Sequence, residues 1–145
     1  MIVLDTNVVS EIMRLRPEPA VLAWFDAQTP SELWLTAVGA GELMFGIARL
    51  DEGARRRQLA RNVSAMLETD FDGRVLPFDL AAASVYAQLA AQRERLGRPV
   101  AMADGQIASV CLAHGASLAT RNHKHFDGLG LTIVNPWSAV ALPAR

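Results

Sequence analysis

The opening run Met1-Ile-Val-Leu-Asp-Thr-Asn-Val-Val-Ser-Glu11 admits few architectures. Ile2, Val3 and Leu4 form a short stretch with no polar member. That is the pattern of a strand buried on both faces. Asp5-Thr-Asn7 continues a strand poorly and starts a helix well, because these side chains accept hydrogen bonds from free backbone N–H groups. Val8, Val9, Ile12 and Met13 then recur at helical spacing. A carboxylate therefore stands at the carboxyl end of a buried strand and beside a helix N-terminus. In open α/β sheets ligands bind at that edge. Taken alone, Asp5 serves equally well as a simple N-cap; residues further along decide between the two.

The same alternation continues. Pro17 and Pro19 suit a turn and a first helical position, ahead of a short apolar helix with Val21, Leu22, Trp24 and Phe25. Leu33-Trp-Leu35 reads as a second buried strand, and Thr36 can cap a helix from Ala37 to about Leu50. Asp51 to Asp70 reads as one long amphipathic helix with Leu59, Val63, Met66 and Leu67 as its stripe. Arg55, Arg56, Arg57 and Arg61 crowd its other faces, as a solvated surface or as phosphate contacts. After the Asp72-Gly73 turn, Arg74 to Asp79 is expected to be a short strand, and Pro77 assigns it to a sheet edge. A helix from Leu80 to Leu96 buries Ala82, Val85, Leu89 and Leu96 and ends at Gly97 and Pro99. Val100 to His114 is the next helix, closed by Gly115. Ser117–Thr120 and Leu131–Val134 are the remaining strands, Trp137 belongs to core or interface, and the tail after about residue 138 is expected to be loose, fraying beyond Ala141. Strands alternating with helices imply a three-layer α/β/α fold around a mostly parallel sheet, in one domain spanning residues 1–145.

Two further acids stand out. Glu42 shares its side of the helix with Val38, Gly39, Phe45 and Gly46 at ~100° per residue, so no obvious polar face carries it. The alternative is an ordinary surface glutamate. Asp104 heads a stripe of Ile107, Ala108 and Cys111, with the helix dipole favouring its charge; the alternative is a first-turn acid serving that dipole alone. His114, near a helix C-terminus, complements the dipole. Parallel strands point their carboxyl ends one way, so Asp5 and the polar segment Thr120–Asn122 reach one edge. Glu42 and Asp104 lie on helices that follow connections from it.

Composition narrows the chemistry. Fourteen Lys and Arg against fifteen Asp and Glu give a net charge of −1, so no global basic field advertises nucleic acid. Any such contact must be local, and thirteen of the fourteen basic residues are arginine, the better fork for phosphate. A single cysteine, Cys111, excludes an internal disulfide and fits a reducing cytoplasm. No signal-peptide pattern is present, and no apolar stretch approaches the ~20 residues of a membrane span. There is no Cys/His cluster for zinc, no glycine-rich phosphate loop and no Gly-x-Ser-x-Gly elbow. Three converging carboxylates would repel one another and protonate. A divalent cation resolves this, since carboxylates with water form the hard oxygen site that Mg²⁺ or Mn²⁺ prefers.

The chain resembles PIN-domain ribonucleases, the toxin halves of VapBC-type toxin–antitoxin pairs, and within them the FitB-like branch. The resemblance rests on Leu4-Asp-Thr-Asn-Val8 with Ser10-Glu11, Gly41-Glu-Leu43 with Gly46-Ile47, and Ala103-Asp104 with Ile107-Ala108. It continues in Ala119-Thr-Arg-Asn122 with Phe126, and in Asn135-Pro-Trp137. It implies a Mg²⁺- or Mn²⁺-dependent endoribonuclease in which Asp5, Glu42 and Asp104 hold the metal and Thr6, Asn7 and Thr120 support them. It also implies an RNA substrate and an antitoxin that carries the DNA contacts. Trp24, Phe25, Trp34 and the long amphipathic helix offer more apolar surface than one small core needs, so a homodimer and a larger toxin–antitoxin assembly are expected. The family commonly has a fourth acid after its Thr-Arg; here Asn122 and His125 stand in that segment as weaker ligands. Two rivals follow from the residues: a catalytically weak PIN-fold binding module, favoured by the missing acid, and an aspartyl-phosphate phosphatase using Asp5. The second wants another aspartate two positions on, where Asn7 stands.

Overall fold

Residues 1–138 are described by the structure, a computed structural model. The expected loose C-terminal tail lies outside the described residues. The elements run β1 (Ile2–Leu4), α1 (Thr6–Ile12), α2 (Pro19–Asp26), β2 (Leu33–Thr36), α3 (Ala37–Ala48) and α4 (Ala54–Ala65). They continue with β3 (Val75–Leu76), α5 (Leu80–Arg95), α6 (Met102–His114), β4 (Ser117–Ala119) and β5 (Ile133–Val134). Five strands, all paired in parallel, lie in the order β3-β2-β1-β4-β5.

Side-chain alternation along the strands builds the layers. Val3 and Leu118 face a core completed by Leu89, Ile107, Val110 and Cys111 of α5 and α6. Leu4, Leu33, Leu35 and Ala119 face the opposite core, with Val8, Val9, Val21, Leu43 and Val63. The three-layer α/β/α reading is therefore correct. β1 sits in the middle, which is why Ile2-Val-Leu4 has no polar member. The chain winds outward from β1 through β2 to β3, then crosses to β4 and β5. The direction of winding thus changes between β1 and β4, the crevice where open parallel sheets place ligands.

Several local expectations need correction. The long helix begins at Ala54, not Asp51, and its last turn, Met66–Asp70, is a π-turn. Leu59, Val63, Met66 and Leu67 remain its buried or half-buried stripe. Leu96 is 63% exposed, because α5 ends at Arg95 and the chain turns away through Gly97. The third and fifth strands shrink to two residues each. For β3 the reason is Pro77, which cannot extend a ladder; β3 is a sheet edge, as Pro77 required. His123–Phe126, for which no element was expected, forms a short 3₁₀ turn and buries Phe126.

Candidate active site

Asp5 follows β1, and its N–H donates to the Ala119 carbonyl at 2.9 Å. This extends the β1–β4 register by one rung and sets Asp5 beside Thr120. The Asp5 carboxylate is fully engaged. Oδ1 accepts the Thr6 N–H at 2.9 Å. Oδ2 accepts the Thr120 hydroxyl at 2.7 Å and the Asn7 amide at 3.2 Å. The N-cap reading of Asp5 is met by Oδ1, while Oδ2 is held by side chains from α1 and the end of β4. The network spreads further: Asn7 Oδ1 accepts the Arg121 N–H at 3.1 Å, and Thr120 Oγ1 accepts the Asn122 N–H at 3.1 Å. Thr120 is wholly buried and Asp5 nearly so, which makes these bonds expensive to lose.

Glu42 stands on α3, whose start is fixed by Thr36: its buried hydroxyl accepts the Gly39 N–H at 2.9 Å. The Thr6 hydroxyl lies 3.3 Å from Glu42 Oε1 and 3.4 Å from the Gly39 carbonyl. A Cβ on Gly39 would stand 3.1 Å from Thr36 Oγ1 and 3.7 Å from Thr6 Oγ1, so a bare backbone lets this turn close on Thr6. Burial raises the Glu42 pKa; the Thr6 hydroxyl opposes this, and the charges of Asp5 and Asp104 add to the rise. The apolar surroundings expected for Glu42 are present but not buried: Gly41 and Gly46 are exposed, and Phe45 is 62% exposed.

Asp104 occupies the first turn of α6. Burial raises its pKa, Asp5 adds to the rise, and His125 opposes it by charge and hydrogen bond. His125 Nδ1 lies 3.4 Å from Asp104 Oδ2, although the His125 side chain is more than half exposed. Asn122 contributes its backbone N–H; among the described residues its side chain makes no hydrogen bond to the acids. Sequence reasoning missed Gly105 and Tyr86. A Cβ on Gly105 would meet the Tyr86 ring at 2.9 Å, so the glycine lets α5 seat the first turns of α6 and with them Asp104. The available signal was a glycine inside a helix, which costs stability without a packing reason. Glu11, named only as part of the family motif, is buried and held by both oxygens to Arg14 Nη1.

Asp5, Glu42 and Asp104 share one electrostatic field, since Asp5 raises the other two and Asp104 raises Glu42. Among the described residues, however, no three His, Cys, Asp or Glu side chains stand close enough to ligate one ion directly. The three acids expected to converge are therefore not within direct reach of one ion; Mg²⁺ keeps several waters, so a site built on them does not require all three to touch it. In chemistry the donor set fits a hard divalent cation.

A family model described as PIN domain matches residues 2–130; the chain belongs to the PIN-domain family. It is 46% identical over 137 residues to VapC ribonuclease Y4jK of Sinorhizobium fredii, covering 94% of this chain and 98% of that protein. It is 36% identical to toxin FitB of Neisseria gonorrhoeae over 94% of this chain and 99% of that protein. Among solved structures, FitAB bound to a DNA fragment superposes with a TM-score of 0.89 at 35% identity, covering 97% of this chain and 98% of that one.

Proposed function

We propose that the protein is a divalent-metal-dependent endoribonuclease, the toxin of a toxin–antitoxin pair. The observation that carries this is the crevice at the carboxyl ends of β1 and β4, where a hydrogen-bonded Asp5 shares its field with Glu42 and Asp104, each raised in pKa first by burial and then by neighbouring carboxylate charge. The names of the relatives, a VapC ribonuclease and a FitB toxin, support RNA as substrate. Asp5, Glu42 and Asp104 are assigned to hold Mg²⁺ or Mn²⁺, with His125 and Asn122 as weaker partners. Bound there, the cation supplies a water of lowered pKa and neutralises charge on the scissile phosphate. The chain's part is positioning: Thr6, Asn7 and Thr120 hold Asp5 in one orientation, and Thr6 also steadies Glu42.

The partner is an antitoxin, in keeping with the FitAB complex the fold matches. Operator DNA is left to that antitoxin, because this chain carries a net charge of −1. Exposed Met44 and Phe45 on α3 supply apolar surface for a homodimer and the larger assembly. No helix among the described residues is long and apolar enough to cross a membrane; with RNA as substrate, the cytoplasm is the assigned compartment. Purified protein incubated with total RNA, with Mg²⁺ or Mn²⁺ and with or without chelator, tests the reading. Cleavage that needs the cation is the expected result. Intact RNA under every condition would leave the binding-module reading in its place.

A further inference from the structure

Among the arginines, Arg121 alone is tied into the Asp5 network. Its backbone N–H is held by Asn7, whose amide also binds Asp5. Its guanidinium lies over the Trp137 ring, 5.0 Å from the centroid. Trp137 comes from the segment after β5, at the same carboxyl edge of the sheet, and its N–H is fixed by Asn135 Oδ1 at 3.0 Å. The Arg121 side chain thus rests over an aromatic ring, yet the residue is exposed and forms no ion pair among the described residues. Other arginines are occupied: Arg14 by Glu11, Arg74 and Arg93 by backbone carbonyls, Arg61 by Gln58. Those at the start of α4 have no link to the acids.

The surroundings strengthen the case. Arg121, His123, Lys124 and His125 fall within five residues and include the chain's only lysine and two of its three histidines. In a chain of net charge −1, this is a local basic rim beside an acidic crevice. A polyanion crossing three carboxylates is repelled wherever its charge is not matched, so flanking phosphates need cations at the rim. A stacked guanidinium presents its N–H fork in a fixed plane, suited to bidentate phosphate binding with little entropy left to lose.

We propose that Arg121, braced by Trp137, binds an RNA phosphate flanking the one that is cleaved. This rests on the ribonuclease reading and adds the residue that registers the substrate. An RNA strand is favoured over an acidic protein segment because the rim adjoins the acids assigned to phosphodiester cleavage.

The test uses the full chain and bulk transfer RNA as probe. Binding is read by fluorescence anisotropy with chelator present over a series of salt concentrations, and cleavage is read with Mn²⁺. Arg121→Gln is expected to weaken binding about tenfold and to lower the log–log salt slope by about one. KM should rise about tenfold while kcat stays within about twofold. Arg121→Lys should restore the salt slope and only part of the affinity, because the point charge survives and the planar fork does not. Trp137→Leu should mimic the affinity loss with the slope intact. If Arg121→Gln melts early, Arg121→Lys still decides, since it keeps the charge. Wild-type affinity and slope in Arg121→Gln would overturn the proposal, as would a lowered melting temperature with unchanged RNA binding, which marks a structural latch. Absence of cleavage by the wild-type chain would instead remove the ribonuclease reading.

Discussion

The two sides of the crevice proposed as the active site are built on opposite principles. On the strand side, Asp5 is nearly buried and its oxygens are met by Thr6, Asn7 and Thr120. On the helix side, Glu42 and Asp104 are half-open, with one side-chain partner each, and both carry raised pKa values. The strand side is complete without a ligand. The helix side carries charge for which the protein itself supplies too little compensation. A carboxylate that is already satisfied serves as a fixed reference; those left unsatisfied are where a cation gains most. Of the six buried polar residues among those described, three (Asp5, Thr36 and Thr120) lie at the carboxyl ends of strands.

The largest expected effect comes from removing charge on the fixed side. Asp5→Asn keeps the shape and most hydrogen-bond geometry but removes the anion. RNA cleavage should fall about 10²–10³-fold, and added Mn²⁺ should not restore it. Glu42→Gln and Asp104→Asn should also lose most activity, with a higher cation concentration needed for what remains. Titrating the cation against cleavage rate checks the contrast. Wild-type rates in Asp104→Asn, free of contaminating wild-type enzyme, would remove that residue from the site.

Thr120→Val tests how far the fixed side depends on its hydrogen bonds. The substitution keeps volume but strips Asp5 of a donor and leaves the Asn122 N–H without its acceptor. We expect a loss of about 1–3 kcal/mol in stability and a fall of about 10–100-fold in activity. Thermal melts and cleavage assays on one preparation read both. An unchanged rate in a destabilised protein would show that Asp5 keeps its orientation through Thr6 and Asn7 alone.

The contrast was only partly visible in the sequence. Ile2-Val-Leu4 followed by Asp5 located the strand side, because a central parallel strand leaves a continuous apolar run and its end is marked by the first polar residue. Thr120 followed by the same logic. Glu42 and Asp104 were placed by helical periodicity, which gives the face of a helix but not what covers it. Hence Glu42 was expected among apolar residues and glycines with no obvious polar face; those neighbours are there, but Phe45 and Gly46 are open to solvent. The packing of Gly105 against Tyr86 joins positions far apart in the chain, and no local pattern carries that. Leu96 failed for a related reason: periodicity continued past the point where Gly97 turns the chain away.

The helix side should also leave a signature in stability. Glu42 and Asp104 have ordinary values of 4.5 and 3.8, and in the folded protein both are raised, first by burial. Between those ordinary values and the raised ones, the folded chain holds protons that the unfolded chain has released. Without cation, stability therefore falls as pH rises through that interval and stays lower above it. Because both groups are partly exposed, screening keeps the effect small: a drop in melting temperature of about a degree or two. Glu42→Gln should flatten the dependence in chelated protein, and saturating Mg²⁺ should reverse it. Melting temperatures that rise across this interval without cation would contradict the unsatisfied state of the helix side.

The smallest effect concerns His125, which stands where the family usually has an acid. Its Nδ1 is 3.4 Å from Asp104 Oδ2, although the side chain is more than half exposed. A protonated His125 would partly offset the Asp104 charge in the cation-free protein. As a ligand, an imidazole suits Mn²⁺ better than Mg²⁺. We therefore expect severalfold higher activity with Mn²⁺ than with Mg²⁺. His125→Asp replaces a competing base with another hard oxygen donor on the helix side. Mg²⁺-dependent cleavage should then rise by about twofold to fivefold and the Mn²⁺ preference should shrink. In chelated protein the same change adds one more like charge beside Asp104, so the melting temperature should drop slightly. Parallel rate measurements with the two metals, together with melts in chelator, separate these effects. If the metal preference and the melt are both unmoved, His125 plays no part in the imbalance, and the helix side consists of Glu42 and Asp104 alone.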